Sequence, residues 1–407
     1  MTVEEVRAAF PQLGEKIYGK DLFYLDNAAT ALRPESVIDK WVEMSTRYNS
    51  NLHRAVHHLA DVATEEYEST REAVRSFINA ASKDEIIFTS GATMSINLVA
   101  NTFGDKFVKE GDEIFVSESE HHSNIVPWQI LCEKKRAVLR VVPVDENGFP
   151  DLEYLRENLS EQARILCIAQ ISNVLGLINP VKQIVNLCHS VGCKVLLDGA
   201  QGVVHCCVDV QDSGCDFYVF SGHKLYAAPG TGVLYAKKEI LEQMPPYMAG
   251  GEMIDTVKFT GTTYAAVPHR FEAGTQNIAG VPTLKPAMEM VGKMRCKEVE
   301  FEQKRIRDFL LAELSAIDGL RLYGRAACVE NKIPLFSFSI EGVHHEDIAL
   351  ILDKMGIAVR SGQMCAEPLM DRFGVSGMVR ASFAPYNTIS EAEYFIESLH
   401  RAIKMLR

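Results

Sequence analysis

Two stretches, KVLLDGAQ at residues 194–201 and DFYVFSGHK at residues 216–224, decide how this chain folds. Each is a short apolar run followed directly by polar residues, which include Asp198 in the first stretch and Ser221 and Lys224 in the second. Short apolar runs bounded by small polar residues are typical of buried strands. The two stretches therefore predict two strands that each end in a side chain suited to chemistry.

Short apolar strands alternate with helical patterns through the first two thirds of the chain. Strands are predicted at residues 86–89, 113–116, 138–144, 165–171, 195–198, 217–220 and 232–236, and helices at 34–47, 58–79, 93–103, 120–133, 151–158 and 180–191. Apolar strands that alternate with helices predict a mostly parallel sheet covered on both faces. Ligands of such sheets bind beyond the carboxyl ends of the strands, where Asp198 and Lys224 are expected.

The last third predicts a smaller unit. Residues 245–280 are rich in Gly and Pro and are predicted to form loops near the site, and a helical pattern covers 282–316. Further strands are predicted near 333–340, 357–360 and 378–383, before a last helix at about 390–406. The expected fold class is α/β, with a large domain at 21–285 on a mostly parallel seven-stranded sheet and a smaller C-terminal α/β domain at 286–407. Residues 1–20 are expected to pack with the small domain.

The composition of the chain argues against several classes of function. The 407 residues carry a formal net charge of −12, which argues against nucleic acid as a partner because phosphate binding needs a basic face. The first residues lack the basic start and apolar run of a signal peptide, and no apolar run reaches the roughly 18 residues that span a bilayer. We therefore expect a cytoplasmic protein without a membrane partner. The ten cysteines include no Cys-x-x-Cys pair, so no metal centre is expected.

The carboxylate and the lysine at the two strand ends suit one cofactor, pyridoxal 5′-phosphate (PLP). A lysine forms a Schiff base with the aldehyde of PLP, and a carboxylate keeps the pyridine nitrogen protonated so that the ring accepts electrons. The chain has no G-x-G-x-x-G or Walker loop, which argues against a dinucleotide or a nucleoside triphosphate.

Several motifs, in order, resemble one known family. These are LDNAAT at 25–30, EHHSNIVPW at 120–128, DGAQ at 198–201, SGHK at 221–224 and VRAS at 379–382. They resemble the fold-type I PLP-dependent transferases of the class V aminotransferase family, and within it the SufS-type (group II) cysteine desulfurases. The resemblance covers nearly the whole chain.

The resemblance implies a role for each matching residue. The cofactor contacts that it implies are Lys224 as the Schiff-base lysine and base for the Cα proton, Asp198 at the pyridine nitrogen, Gln201 at the 3′ oxygen, His121 stacked on the ring, and Thr93, Ser221, His223 and Thr275 at the phosphate. Thr275 acts across the interface of a homodimer in relatives. The substrate contacts that it implies are Arg380 and Asn173 at the carboxylate, with Arg360, His53 and Arg54 nearby. His122 is expected to be structural.

Cys365, in VRSGQMCAEPL at 359–369, separates a desulfurase from an ordinary aminotransferase. The resemblance implies that L-cysteine is converted to L-alanine while Cys365 takes the sulfur as a persulfide. The resemblance also implies that this sulfur is used for iron–sulfur cluster assembly, through a small acceptor protein of the SufE or SufU kind. Arg360 nearby favours the reactive thiolate. Relatives usually have His before the nucleophile, whereas this chain has Met364, so the resemblance leaves open how the leaving group is protonated.

Two alternatives stay open at this point. A selenocysteine lyase or related β-lyase on the same fold would take L-selenocysteine, and it need not use Cys365 because selenium leaves more easily. A sulfur-carrier scaffold without turnover is the other alternative. The presence of Lys224, Asp198, Gln201 and Arg380 together argues against a scaffold.

Overall fold

The computed structural model describes residues 1–53, 56–325 and 329–407, so Arg54 lies outside the described residues. The α-helices are α1 Val3–Ala8, α2 Glu35–Thr46, α3 His58–Phe77, α4 Ala92–Val99, α5 Asp105–Phe107, α6 Val126–Lys135, α7 Leu152–Asn158, α8 Val181–His189, α9 Gly202–His205, α10 Val210–Ser213, α11 Lys238–Leu241, α12 Leu284–Met294, α13 Lys297–Ala316, α14 His345–Lys354, α15 Glu367–Phe373 and α16 Ile389–Leu406. The strands are β1 Lys16–Ile17, β2 Lys20–Asp21, β3 Phe23–Tyr24, β4 Ile86–Thr89, β5 Glu113–Ser117, β6 Val138–Val142, β7 Ala163–Ala169, β8 Lys194–Asp198, β9 Phe217–Ser221, β10 Gly232–Ala236, β11 Ile254–Lys258, β12 Gly261–Tyr264, β13 Leu320–Tyr323, β14 Leu335–Ile340, β15 Ile357–Ala358, β16 Arg360–Gly362 and β17 Met378–Ser382.

A seven-stranded sheet in the order β4-β10-β9-β8-β7-β5-β6 forms the centre of the larger part of the molecule. Strands β6, β5, β7, β8 and β9 run parallel, and β10 is antiparallel to both of its neighbours. Nearly all of their residues are buried, except on the edge strand β6. The expected α/β fold with a mostly parallel seven-stranded sheet is therefore confirmed. Since β8 and β9 are parallel neighbours, Asp198 and Ser221 lie at the same edge of the sheet.

A buried ion pair fixes helix α3 to this sheet. The guanidinium of Arg71 donates to both carboxylate oxygens of Glu272, at 2.7 and 2.9 Å, and to the backbone oxygen of Ile86 at 2.8 Å. The backbone N–H of Phe88 donates to Glu272 as well, at 2.7 Å. Both charged side chains are fully buried, so each depends on the other for its charge to be tolerated in the interior.

A second, four-stranded antiparallel sheet, in the order β13-β14-β17-β16, forms the C-terminal unit with helices α13, α14 and α16. The N-terminal segment reaches this unit, because Arg7 donates to the backbone oxygen of Tyr386 at 3.0 Å and pairs with Glu391 at 2.8 Å. Strand β3 pairs in parallel with β15 of the same unit. The domain boundaries at 20/21 and 285/286 stay predictions.

Several local elements differ from the sequence-based prediction, among them the strand β13, which was not predicted. The loop-rich stretch 245–280 contains a two-stranded hairpin, β11-β12. The helical pattern at 282–316 forms two helices, which are separated at Arg295 and Cys296. The helix expected at 120–133 begins only at Val126, because His121 has an extended backbone and its side chain caps a short 3₁₀ turn at His122–Asn124. No helix in residues 1–53, 56–325 and 329–407 is long and apolar enough to cross a membrane.

Candidate active site

A cavity of about 240 Å³ lies where the central sheet meets the C-terminal unit. Most of the predicted site residues line it, namely Thr93, His121, Asn173, Asp198, Gln201, Ser221, His223, Lys224, Arg360, Cys365 and Arg380. Side chains that are far apart in sequence therefore converge on a space large enough for a small cofactor and an amino acid.

Two predicted residues lie elsewhere. Thr275 lines a different cavity, near the start of helix α4, and His53 lines another. The ligand atoms of His53, Glu68 and His269 all lie within 4.8 Å of one another, which is close enough for a metal. Both oxygens of Glu68 already accept from Arg71, each at 3.1 Å, so we assign no metal to this cluster.

Asp198 and Lys224 face the same buried space with opposite charges. Asp198 is the last residue of β8, and one of its oxygens accepts from the backbone N–H of Ala200 at 2.9 Å. Burial raises the pKa of Asp198, although Lys224 opposes this shift. Burial lowers the pKa of Lys224, and the positive charge of Arg380 lowers it further, against the attraction of Asp198. A lowered pKa increases the neutral, nucleophilic fraction of the amine, which suits Schiff-base chemistry.

Strand β10 packs tightly against the loop that precedes helix α4. Gly91 has a φ of +151°, a conformation that favours glycine, and the next backbone N–H, that of Ala92, donates to the buried Ser221 hydroxyl at 2.9 Å. A Cβ on Gly232 would lie 2.3 Å from the Gly91 Cα. The start of α4, with Thr93 in its first turn, therefore forms a small cradle of hydroxyl and amide groups, the kind of site that binds a phosphate.

His121 is held as a neutral imidazole. Its Nδ1 accepts from the backbone N–H of Ser123 at 3.1 Å, so the ring proton is on Nε2. Burial and the nearby charge of Lys224 lower the pKa of His121 to about 4. His121 is therefore uncharged at neutral pH, so its face can lie against an electron-poor ring and its Nε2 can exchange a proton.

Two further polar groups are oriented from the segment around residues 28–30. The amide nitrogen of Gln201 donates to the Ala28 backbone oxygen at 2.9 Å, which leaves the Gln201 carbonyl oxygen directed elsewhere. His223 Nδ1 is 3.2 Å from the Thr30 hydroxyl. Burial, together with Lys224, lowers the pKa of His223 to about 4, so it is also neutral near pH 7.

A pair of arginines provides the positive end of the cavity. The Arg380 side chain is 2% exposed and donates to the Asn173 backbone oxygen at 2.9 Å and to Asp26 at 3.1 Å. Arg360 lies 3.6 Å from the other oxygen of Asp26. The Nε of Arg380 is buried and lacks a hydrogen-bond partner among the described residues. An unsatisfied, buried guanidinium nitrogen fits a site that receives a carboxylate.

Cys365 is exposed on the loop between β16 and α15 and lines the cavity. Met364 and Cys365 both have a φ of +56°, an unusual conformation for residues other than glycine. The Asn173 side chain donates to the Met364 backbone oxygen at 2.9 Å, and the His122 backbone N–H donates to that of Cys365 at 2.8 Å. Met364 is 5% exposed and packs among apolar residues.

Sequence reasoning missed one residue of the site, Asp26. Asp26 was only part of a motif, yet it holds both arginines, and the two basic residues predicted near the substrate were a signal that a counter-ion was needed. His122, which was expected to be structural, contacts the segment next to the cysteine loop, since its Nε2 accepts from the backbone N–H of Glu367. A contact between residues 245 positions apart cannot be predicted from a single sequence.

Comparisons with known proteins find similar chains and similar structures. The family model described as aminotransferase class-V matches residues 23–395. A probable cysteine desulfurase of Vibrio cholerae is 42% identical over 406 residues, which covers 100% of both chains. A cysteine desulfurase of Pectobacterium carotovorum is 44% identical and covers 99% of this chain and 98% of its own. The crystal structure of the cysteine desulfurase CsdA from Escherichia coli is 38% identical, covers 100% of both chains and has a TM-score of 0.92. The apo cysteine desulfurase of Thermococcus onnurineus is 34% identical, covers 99% and 98%, and has a TM-score of 0.93.

Proposed function

The chain belongs to the class-V aminotransferase family, and we propose that it is a PLP-dependent cysteine desulfurase that converts L-cysteine to L-alanine. The observation that carries the proposal is that Cys365 faces the same cavity as Lys224, Asp198 and Arg380. An ordinary aminotransferase needs the last three residues but has no use for a thiol there. The relatives named as cysteine desulfurases support the same reading over their full lengths.

The residues of the cavity fit PLP. When bound, PLP supplies an aldehyde for amines and a ring that withdraws electrons from the substrate Cα. We propose that Asp198 pairs with the pyridine nitrogen, Gln201 with the 3′ oxygen and His121 with the ring face. The cradle at the start of α4 suits the phosphate, and its proposed contacts are Thr93, Ser221 and His223, with Thr275 contributing to the partner subunit's site.

The residues of this chain divide the proposed reaction among them. Arg380 holds the substrate carboxylate, helped by Asn173, and Arg360 adds positive charge near the thiol. Lys224, whose pKa is lowered by burial, takes the proton from the substrate Cα. The Cys365 thiolate then attacks the substrate sulfur: a sulfur–sulfur bond forms, the Cβ–sulfur bond breaks, and its electron pair stays with the substrate. Alanine leaves after gaining one proton at Cβ and regaining one at Cα, and Cys365 keeps a persulfide.

A second candidate function is favoured by Met364. This residue is buried among apolar side chains and has no acidic proton for a sulfur that would leave by elimination, without attack by Cys365. A selenium leaving group is a weaker base and needs less protonation, so a selenocysteine lyase is the alternative activity. Such a lyase would act on L-selenocysteine without requiring Cys365.

The decisive experiment measures alanine and sulfide released from L-cysteine, with PLP and a thiol reductant added. The native chain is compared with Cys365→Ala and with Cys207→Ala, a matched control that changes another exposed cysteine. We expect Cys365→Ala to lose cysteine turnover but keep bound PLP, and the control to stay active. Equal activity of native protein and Cys365→Ala would refute the persulfide route, and turnover of selenocysteine alone would support the lyase.

We also propose a homodimer that passes its persulfide sulfur to a small acceptor protein of the SufE or SufU kind, for iron–sulfur cluster assembly. The hairpin β11-β12 supports a dimer, because Val257, Phe259 and Tyr264 are apolar and strongly exposed on it. Light scattering of the PLP-loaded protein tests this state. A monomer that retains PLP and full activity would contradict it.

A further inference from the structure

The segment from Glu120 to Asn124 carries two adjacent histidines that contact different parts of the molecule. His121 lines the cavity, whereas His122 contacts the loop that carries Cys365. The proposed function uses His121 alone. The imidazole of His122 has no role in that proposal.

His122 joins the cysteine loop through two hydrogen bonds. Its backbone N–H donates to the Cys365 backbone oxygen at 2.8 Å. Its imidazole Nε2 accepts from the backbone N–H of Glu367 at 3.0 Å. These two bonds lie on either side of Ala366, so both ends of the turn after the nucleophile are attached to one residue.

The bond to Glu367 replaces a missing helix cap. Helix α15 begins at Glu367, and the residue at its N-cap position is Ala366, whose methyl side chain cannot accept a hydrogen bond. The first N–H groups of a helix lack partners within the helix and are usually satisfied by a Ser, Thr, Asp or Asn side chain at the cap. Here the imidazole of His122 provides the acceptor from a distant part of the chain.

The cysteine loop needs such support because of its backbone. Met364 and Cys365 are consecutive non-glycine residues with positive φ, a conformation that persists only when surrounding contacts hold it. Asn173 holds one side of the loop through the Met364 oxygen, and His122 holds the other.

The segment that carries His122 is itself rigid. The buried carboxyl group of Glu120 accepts from the Ala169 backbone N–H at 2.9 Å and from the Asn124 side chain at 2.6 Å. His121 is fixed by its hydrogen bond from Ser123. A support anchored to strand β7 in this way can define the position of whatever is attached to it.

We propose that His122 is a positioning residue that caps helix α15 and thereby holds the Cys365 thiol in register with His121. This inference rests on the proposed function for its effect on turnover, but the capping contact itself does not depend on it. Because His121 and His122 are adjacent, one rigid segment sets the places of the ring-facing imidazole and of the nucleophile.

The test compares His122→Ala, which removes the acceptor, with His122→Gln, whose amide oxygen restores an acceptor at about the same reach. His344→Ala is the matched control, because His344 caps helix α14 through its own imidazole. Hydrogen exchange of the peptide covering residues 361–369 and the alkylation rate of Cys365 by iodoacetamide are measured on the PLP-loaded protein. The values of kcat and KM for L-cysteine are measured in parallel.

We expect His122→Ala to raise exchange at the start of α15 and to lower kcat, each by about tenfold, as the loss of a helix cap predicts, with KM unchanged. The alkylation rate of Cys365 in His122→Ala should also differ from that of the native protein. His122→Gln should restore the exchange, the alkylation rate and kcat to their native values. The inference is overturned if exchange in His122→Ala equals that of the native protein, or if His122→Gln behaves like His122→Ala. Hydrogen exchange and alkylation are measured without turnover. They therefore test the capping role of His122 even if the protein proves not to be a cysteine desulfurase.

Discussion

Replacing Gly232 by alanine tests the tight contact between strand β10 and the loop before helix α4. A Cβ at residue 232 would lie 2.3 Å from the Cα of Gly91, 2.5 Å from its nitrogen and 2.8 Å from its carbonyl carbon. All three are backbone atoms, so no side-chain rotation relieves the clash. An ordinary carbon–carbon contact is about 3.5 Å or more, so the loop or the strand must move by roughly 1 Å.

This displacement affects the cradle directly. The Ala92 N–H, one residue beyond Gly91, donates to the Ser221 hydroxyl at 2.9 Å, and a shift of roughly 1 Å would break that bond. Forcing a methyl group into a packed interior costs about 1–3 kcal/mol of folding stability. A misplacement of about 1 Å in a site costs on the order of 100-fold in rate. We expect Gly232→Ala to bind PLP more weakly than the native protein. Its rate of cysteine turnover should fall by a larger factor than its loss of folding stability alone would explain.

The assay is a titration of PLP followed by its visible absorbance, together with urea denaturation and cysteine turnover at saturating PLP. Gly292→Ala is the matched control, because a Cβ at residue 292, within helix α12, meets no atom within 4 Å. The control should bind PLP normally and gain about 0.5–1 kcal/mol from improved helix propensity. If Gly232→Ala binds PLP with native affinity and unfolds at the native urea concentration, the steric argument is wrong.

Three further predictions concern charged and titrating groups. Glu272→Gln removes the fully buried counter-charge of Arg71 and leaves only the partly buried Glu68, so urea denaturation should show a loss at the lower end of about 3–5 kcal/mol, and a loss below about 1 kcal/mol would contradict this. Burial lowers the pKa of His205 to about 4, below its unfolded value of about 6.5, so stability is lost as pH falls from 6.5 to 4. Denaturation curves at pH 6.5 and pH 4 should show that His205→Gln reduces this loss of stability by up to about 3 kcal/mol, and a variant with the native pH dependence would refute the role of His205. Asp198→Asn should fold normally but lower kcat on the order of 100-fold or more, since the charge that stabilises the pyridinium is gone, and near-native kcat would exclude the pairing proposed for Asp198.

The sequence was sufficient for the sheet and for the residues at its edge. Apolar runs such as those ending at Asp198 and Ser221 leave few alternatives to buried parallel strands, and their ends define where ligands bind. Strands β4 and β10 were predicted with their observed bounds. The side chains that line the cavity follow from motifs whose residues lie at strand ends or helix starts.

The sequence was insufficient where distant segments meet. The hairpin β11-β12 was missed because its residues are mostly exposed and carry no apolar alternation that would mark a buried face. The late start of helix α6 depends on the side-chain cap made by His121, which competes with the helical pattern of residues 120–133. The contact of Asp26 with Arg380 joins residues 354 positions apart, and only the folded chain reveals it.

The carboxylate of Asp26 between Arg380 and Arg360 also bears on which anions the protein tolerates. Two guanidinium groups and one carboxylate leave a single positive charge in this corner of the cavity. One amino-acid carboxylate brings the local sum to zero, whereas sulfate or a doubly ionised phosphate would leave an excess negative charge beside Asp26. The arrangement therefore discriminates by valence, and we expect abundant divalent oxyanions to compete poorly with a monocarboxylate for this corner.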